Sequence, residues 1–261
     1  MKPIKIVKPI KNIIKSRQIL KIIIITVFIH PILGSDLSAS VILDSMMMVM
    51  QPASSKGKME QEIISSANVK RIFTFEYFSE NKGENILIRY TEPRKVKNNA
   101  FLIKNNGDDI WVYFPRTRRV RKLASHAKKQ KAQGSDFSYE DFSGSENWET
   151  DYNVSRSESG ERETYLLIFT RKENADVSYE RQEIYVDKRN YYPRRIEYFQ
   201  DSEHVKTLTF SDVVELQGYP TAQTMTMANH VEESQTQMRV LNMEYYVIFD
   251  GGFFTERNLK K

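Results

Sequence analysis

Residues 100–123 read AFLIKNNGDDIWVYFPRTRRVRKL, and this stretch determines the class of fold. The apolar and aromatic runs AFLIK and DIWVYF flank an Asn-Gly step at residues 106–107, and such a step is typical of a tight β-hairpin turn. In the following RRVRKL, Arg119 and Arg121 alternate with an apolar residue, as outward side chains on an edge strand do. The sequence therefore predicts an antiparallel meander that ends in a positively charged edge strand.

The same period of two recurs along most of the chain and predicts many short strands. The candidates are residues 69–78, 86–90, 100–104, 109–114, 118–123, 165–170, 179–187, 194–199, 206–214 and 235–249. Regular short strands separated by turns imply a sandwich or a barrel rather than a parallel α/β sheet. Several candidates carry large apolar groups on both faces. This pattern indicates either a filled core or a curved sheet that encloses something on its concave side.

One short, very apolar helix is predicted ahead of the strands. In SASVILDSMMMVMQP, residues 38–52, an apolar side is formed at helical spacing by Ile42, Met46, Val49 and Met50. Pro52 ends the run. Methionine is unbranched and polarizable, so it suits surfaces that adapt to variable apolar partners, although an ordinary core helix has the same pattern.

The N-terminal segment has the layout of a secretory signal. Residues 1–39 contain seven basic residues against Asp36 alone, so they account for the positive excess of a chain whose formal charge is +5. The apolar run IIIITVFI at residues 22–29 is less than half as long as the roughly 20 residues of a membrane-spanning helix. We expect residues 1–39 to be a signal peptide, with an uncleaved anchor as the alternative, and residues 40–261 to form one domain.

No catalytic, metal or cofactor motif is recognisable. Cysteine is absent, which excludes disulfides, thiolate zinc sites and lipidation of an N-terminal cysteine. His30, His126, His204 and His230 lie far apart in the sequence and at no metal-ligand spacing. The acidic loop SDFSYED lacks the central glycine and distal glutamate of a calcium loop, and neither a G-x-S-x-G elbow nor a phosphate-binding glycine loop occurs. We predict a protein that is not an enzyme and needs no cofactor.

The basic run after residue 115 is the feature that could bind nucleic acid. Its Arg and Lys side chains could contact phosphates while Trp111 and Tyr113 stack on bases. Export argues against nucleic acid as a partner. The charge distribution does so too, because the excess charge belongs to the leader and residues 40–261 are nearly neutral. The preferred interpretation is a positive surface that faces anionic headgroups or a protein partner.

Four regions of the sequence together resemble the LolA-like, outer membrane lipoprotein-sorting protein family. They are DDIWVYFPRTRRVRKL followed by QGSDFSYEDF (108–123 and 133–142), IYVDKRNYYPRRIEYF (184–199), VKTLTFSDV (205–213) and GYPTAQTMTMAN (218–229). The likeness keeps its order from about residue 40 to residue 250.

This resemblance implies a mainly β fold with a few helices, in which an unclosed, strongly curved antiparallel half-barrel carries a helical lid over an apolar cavity. The lid would be residues 41–50, and the hollow would be lined from strands such as 73–78 and 110–114. We expect the ligand-binding cavity or lid to include Met46, Met50, Phe73, Phe75, Trp111 and Tyr113. We expect the rim loop or a partner contact to include Phe137, Tyr139, Phe142, Arg119 and Arg121.

The resemblance also implies a periplasmic carrier without catalytic residues, and some relatives are associated with RND-type exporters. The leading hypothesis is a monomer that binds acyl chains of lipoproteins or lipids non-covalently. It would pass them between membrane partners, an inner-membrane transporter, for example of the RND type, and an outer-membrane acceptor. Each buried methylene contributes about 0.8 kcal/mol, so a pocket that takes much of one acyl chain offsets its membrane anchoring. The alternatives are an exported sensor or scaffold that binds a protein partner without transport, and an exported hydrolase with unrecognised residues.

Overall fold

The computed structural model describes residues 37–143 and 148–261. The described chain belongs to one compact unit, Leu37–Lys261. The predicted signal peptide falls on residues 1–36, which lie outside the described residues, and on the first few residues of this unit. Within the described part, no helix has the length and apolar character needed to cross a membrane.

One antiparallel sheet of 13 strands dominates the described chain. The strands are β1 Ser54–Ile64, β2 Lys70–Glu80, β3 Asn85–Glu92, β4 Ala100–Lys104, β5 Asp109–Phe114, β6 Arg119–Lys122, β7 Tyr152–Ser157, β8 Thr164–Arg171, β9 Arg181–Asp187, β10 Pro193–Gln200, β11 Glu203–Leu216, β12 Tyr219–Asn229 and β13 Ser234–Tyr245. Their spatial order is β6-β5-β4-β3-β2-β1-β13-β12-β11-β10-β9-β8-β7. Because β6 and β7 remain as edges, the sheet is not closed, and the predicted unclosed antiparallel fold is confirmed.

Four short helices accompany the sheet in the described residues: α1 Ala39–Met50, α2 Ser125–Lys128, α3 Trp148–Asp151 and α4 Glu256–Leu259. Helix α1 begins after Ser38, whose hydroxyl accepts a hydrogen bond from the Val41 N–H at 3.4 Å. It packs against β7, β8 and β12. Arg156 on β7 donates a hydrogen bond to the Leu37 carbonyl at 2.7 Å, which ties the start of the helix to the edge of the sheet.

Three strands, β1, β7 and β12, are missing from the strands that the period of two predicts, and β12 lies in a stretch that only the family resemblance includes. Strand β1 reads SSKGKMEQEII, and its buried positions include Ser55 and Gln61, so its alternation is visible in burial but not in hydrophobicity. Strand β7 is a short, polar edge strand. The strand predicted for residues 235–249 ends at Tyr245, and the chain beyond it folds onto the sheet.

Large side chains occupy both faces of strands β2 to β5, because each face packs into a hydrophobic cluster. The inner face contributes Ile110 and Val112 to the main core, which also contains Met46 of α1. The outer face contributes Leu87 and Leu102 to a second cluster, which the C-terminal residues Phe254 and Leu259 cover. Since successive side chains of a strand point to opposite faces, one sequence pattern supplies both clusters.

In the β9–β10 hairpin, a buried aspartate stands six residues before a proline, in the order Asp-x-x-x-x-x-Pro. We call this aspartate and its hydrogen-bond donors the clamp. Asp187 accepts hydrogen bonds from the Arg189 N–H at 2.8 Å and from Nη2 of Arg194 at 2.7 Å. Burial raises the pKa of Asp187, but the donors on Arg189 and Arg194 outweigh that effect and lower the pKa to about 2. The ionised carboxylate therefore stabilises the folded state at neutral pH.

This clamp predicts a pH dependence of stability for Asp187→Asn. The pKa of Asp187 is lower in the folded state than its usual value of about 3.9, so the ionised carboxylate adds roughly 2–3 kcal/mol to the free energy of unfolding above about pH 4. This contribution is lost as the pH falls toward about 2. The variant should unfold at a lower urea concentration than the wild type at neutral pH, and the gap should narrow steadily below pH 4. A gap that stays constant down to pH 2 would contradict the role of the clamp.

Candidate functional site

A cavity of about 360 Å³ lies between the inner face of the sheet, the end of α1 and the loop at residues 132–143. Its volume is within the roughly 300–1,000 Å³ that is usual for ligand pockets. Most of its surface is apolar. The apolar lining side chains are Met50, Met59, Phe75, Phe137, Phe142, Trp148, Val177, Ile196, Leu208, Phe210, Met225, Met238, Val240 and Met243.

Helix α1 covers one side of the inner face. Met46 is fully buried in the core beneath the helix, and Met50, one turn later, lines the cavity. Met48 points away and is 74% exposed. The structure thus places both predicted methionines on the inward side of the helix, but only Met50 lines the cavity.

The predicted rim loop folds over the inner face of the sheet. Phe137 and Phe142 line the cavity, with their ring centroids 5.6 Å apart. Tyr139 and Phe142 both pack edge-to-face against Phe101 on β4, at centroid distances of 5.4 and 5.2 Å. The aromatic residues of this loop therefore form part of the cavity wall and of the core.

Asp136, the first acidic residue of this loop, attaches the loop to the sheet, and we call it the anchor. Asp136 is 1% exposed and accepts hydrogen bonds from Ser234 Oγ at 2.5 Å and Thr236 Oγ1 at 2.7 Å. Its own N–H donates to Thr236 Oγ1 at 2.9 Å. Lys131 lies 3.4 Å from the same carboxylate. These contacts fix the loop to strand β13, which is separated from β4 by β3, β2 and β1 in the sheet.

The polar part of the cavity wall is acidic. Glu140 accepts hydrogen bonds from the Ser178 N–H at 2.9 Å and the Ser178 hydroxyl at 2.8 Å, and burial raises the pKa of Glu140. Asp141 accepts one from Tyr179 at 3.0 Å. The charged lining groups are Glu140, Asp141, Asp151 and Lys82. Lys206 lies 3.4 Å from Asp141 and offsets part of this acidic charge, so the lining presents a small excess of carboxylates to an anionic ligand group.

Of the aromatic residues predicted for the cavity, Phe75 lines it. Phe73 is buried in the surrounding core, where its ring lies edge-to-face with Tyr90 at 6.1 Å, and it does not line the cavity. The placement of Trp111 and Tyr113 is corrected. Both point to the outer face of β5 and pack in the C-terminal cluster, because their neighbours in the strand occupy the inward positions.

Arg119 and Arg121 are exposed on β6, which is an edge strand as predicted. A partner contact by these side chains stays a prediction.

Two histidines that are distant in sequence are neighbours in the structure. The ring centroids of His204 and His230 are 4.5 Å apart, and Nε2 of each ring lies 2.9 Å from Thr207 Oγ1. His204 lies at the start of β11 and His230 in the turn after β12, so the two are neighbours although sequence spacing could not show it. Among the described residues, no group of three or more His, Asp or Glu side chains is arranged to hold a metal ion.

The open antiparallel sheet, the covering helix and the apolar cavity give the chain the LolA-like fold, so the resemblance drawn from its motifs is confirmed. The chain belongs to the family whose model, described as an uncharacterized protein, matches residues 82–261. No curated protein matches it.

Three solved structures share the fold over nearly their whole length. A domain assigned to outer membrane lipoprotein sorting, from Vibrio parahaemolyticus, is 22% identical and has a TM-score of 0.74, covering 86% of this chain and 98% of its own. A DUF1329 family protein from Desulfovibrio piger is 22% identical, with a TM-score of 0.75 and coverage of 85% and 98%. A LolA superfamily protein from Nitrosomonas europaea is 18% identical, with a TM-score of 0.69 and coverage of 85% and 100%. At these identities the likeness establishes the fold.

The anchor of the loop predicts a large effect for Asp136→Ala. The substitution leaves the buried hydroxyl of Thr236 and the partly buried hydroxyl of Ser234 without this acceptor, so it should lower the free energy of unfolding by roughly 3 kcal/mol. Hydrogen exchange should also become faster at residues 137–142. The matched control is Glu232→Ala, which removes the exposed partner of Lys131 and should change stability by about 1 kcal/mol or less. Equal effects of the two substitutions on urea unfolding would refute the anchor.

Proposed function

We propose that the chain is a periplasmic carrier that binds acyl chains of lipoproteins or lipids non-covalently and passes them between membrane partners. The observation that supports this proposal is the apolar cavity enclosed between the sheet, α1 and the loop at residues 132–143, in a protein of LolA-like fold. A filled core would have favoured a scaffold, and a polar cleft with a convergent acid and base would have favoured an enzyme.

The chemistry of the lining suits transfer. Hydrophobic contacts are non-directional, and each methylene removed from water contributes about 0.8 kcal/mol, so acyl chains of different lengths can bind. Methionine adapts its shape to irregular ligands, and methionines occupy opposite walls of the cavity. They are Met50, Met59, Met225, Met238 and Met243. Such a lining holds cargo without polar contacts that would make its release slow.

Within this proposal, residues 1–39 direct export and the mature protein acts as a monomer without catalysis or a cofactor. An inner-membrane transporter, for example of the RND type, delivers the cargo, and an outer-membrane acceptor receives it. Arg119 and Arg121 on the exposed edge strand are suited to contact with anionic headgroups or with one of these partners.

The proposal predicts that lipid copurifies with the protein. The full-length chain would be expressed in a bacterium with two membranes, purified from the periplasm without detergent, and analysed by native mass spectrometry with lipid extraction. We expect a stoichiometric lipid or acyl adduct that exchanges with added fatty acid. A bare protein mass that does not change with added lipid would refute the carrier and favour the protein-binding scaffold.

The lid assignment predicts different effects for two methionines of the same helix. Met50→Asp places a carboxylate in the apolar cavity lining, so we expect uptake of a fluorescent fatty acid to fall at least tenfold. Met48→Asp alters an exposed position and should leave uptake within about twofold of the wild type, since surface substitutions have small effects. Far-UV circular dichroism would verify that both variants fold. Equal uptake by the two folded variants would disprove the lid assignment.

A further inference from the structure

Strands β12 and β13 separate along half of their length. Their pairing runs from Asn229↔Ser234 to Thr224↔Arg239 and then ends. Beyond that point β12 remains paired with β11, and β13 remains paired with β1 as far as Tyr245. We call the gap between residues 219–223 of β12 and residues 240–245 of β13 the seam.

Local backbone features explain why the strands diverge at this level. On β13, Asn242 pairs with Lys58 and Val240 with Met59, so Leu241 is an additional, bulged residue. The Lys58 N–H donates to the Asn242 side chain at 2.9 Å. A bulge bends its strand and increases its twist.

The strands beside the bulge show related features. On β11, Asp212 has a positive φ of 53° and accepts a hydrogen bond from Thr224 of β12 at 3.2 Å. On β1, a Cβ atom at Gly57 would lie 2.8 Å from the Asn242 carbonyl oxygen, so glycine permits the close approach of the bulged strand. The irregularities on both sides of the seam thus coincide with the point at which pairing stops.

The seam opens into the cavity. Thr221 and Ala222 from one side, and Val240, Met243 and Tyr245 from the other, all line it. A ligand could therefore reach the cavity between the two strands, without displacement of α1 or of the loop at residues 132–143.

Side chains, rather than a backbone ladder, bridge the seam. The hydroxyls of Tyr245 and Thr221 are 2.7 Å apart, and the Tyr245 N–H donates to Gln217 Oε1 at 2.8 Å. The ring of Tyr219 packs against that of Tyr245 at 5.3 Å. We call these contacts the latch. Two side-chain hydrogen bonds open far more readily than a strand ladder, since local opening requires only the loss of the contacts involved.

Charge and exposure indicate how a ligand would be oriented. Three of the four charged residues in the cavity lining are acidic, and Lys206 pairs with Asp141 at 3.4 Å. The lining therefore offers an anionic headgroup few cationic partners, so its burial would be poorly compensated. Val213 and Val214, at the seam end of β11, and Ile248, just after β13, are exposed apolar residues. The surface beside the seam can therefore contact apolar parts of a ligand that remain outside.

We propose that the seam is a lateral portal through which an acyl chain enters the cavity tail first, while its headgroup or attached protein stays outside. This inference rests on the proposed carrier function. The latch residues Thr221 and Tyr245 then control the rate of exchange rather than the affinity.

The test is stopped-flow exchange of dansyl-undecanoic acid with the full-length protein. Tyr245→Phe and Thr221→Val each remove the same hydrogen bond, so both the association and the dissociation rate constants should rise roughly fivefold. Thr209→Val, on the fully paired part of β11, is the control and should leave both rates unchanged.

A second variant tests closure of the portal. Because the chain has no cysteine, Thr221→Cys with Tyr245→Cys can be joined by a short bifunctional thiol reagent. Cross-linking after loading should slow release of the probe at least tenfold relative to the same variant without the reagent. If the wild type binds the probe but neither the latch variants nor the cross-link alter its rates, the portal is refuted and the carrier stands. If the wild type takes up no probe, both proposals fail.

Discussion

The pairing of β1 with β13 is the interaction on which the rest of the structure depends. It runs from Ser55↔Tyr245 to Ile64↔Gln235 and joins two meanders that are otherwise separate along the chain. The cavity takes walls from both meanders, Phe75 from one and Tyr198 from the other, so it exists only when this long-range pairing has formed. Loop-closure entropy opposes such a contact, and burial on the inner face offsets that cost.

The loop at residues 132–143 connects the same two halves a second time. Its aromatic residues pack against Phe101 on β4, whereas Asp136 is bound to Ser234 and Thr236 on β13. The loop therefore spans the inner face from one meander to the other. These two attachments explain Asp136 and the aromatic residues of the loop, whereas its other two carboxylates accept hydrogen bonds from Ser178 and Tyr179. A buried carboxylate with several donors is a geometrically demanding anchor, since its hydrogen bonds are directional and their loss leaves polar groups unsatisfied.

Sequence patterns predicted the strand class, the helix at residues 39–50 and the edge strand β6, because each has a local signal: period two, helical spacing, or alternating arginines. They did not reveal β1, because Ser55, Gly57 and Gln61 interrupt the apolar residues Met59 and Ile63 on its inward face. For β5 the alternation separates Trp111 and Tyr113 from Ile110 and Val112, but only the tertiary structure shows which pair faces the main core. The side chains that bridge the seam were also missed, because register between distant strands has no local signature.

Strand β13 combines two opposing requirements of the proposed carrier function. It must pair with β1 along its length to hold the two meanders together, and it must leave β12 to open the cavity sideways. One additional residue, Leu241, reconciles them, because a bulge bends the strand away from one neighbour while the other follows it. Gly57 permits this on the β1 side by allowing the Asn242 carbonyl to come close. The backbone groups along the seam lack a ladder partner in the sheet, and side chains such as Gln217 take over part of that bonding. A sheet fully paired at this point would be more stable, but it would close the lateral path between its cavity and the surface.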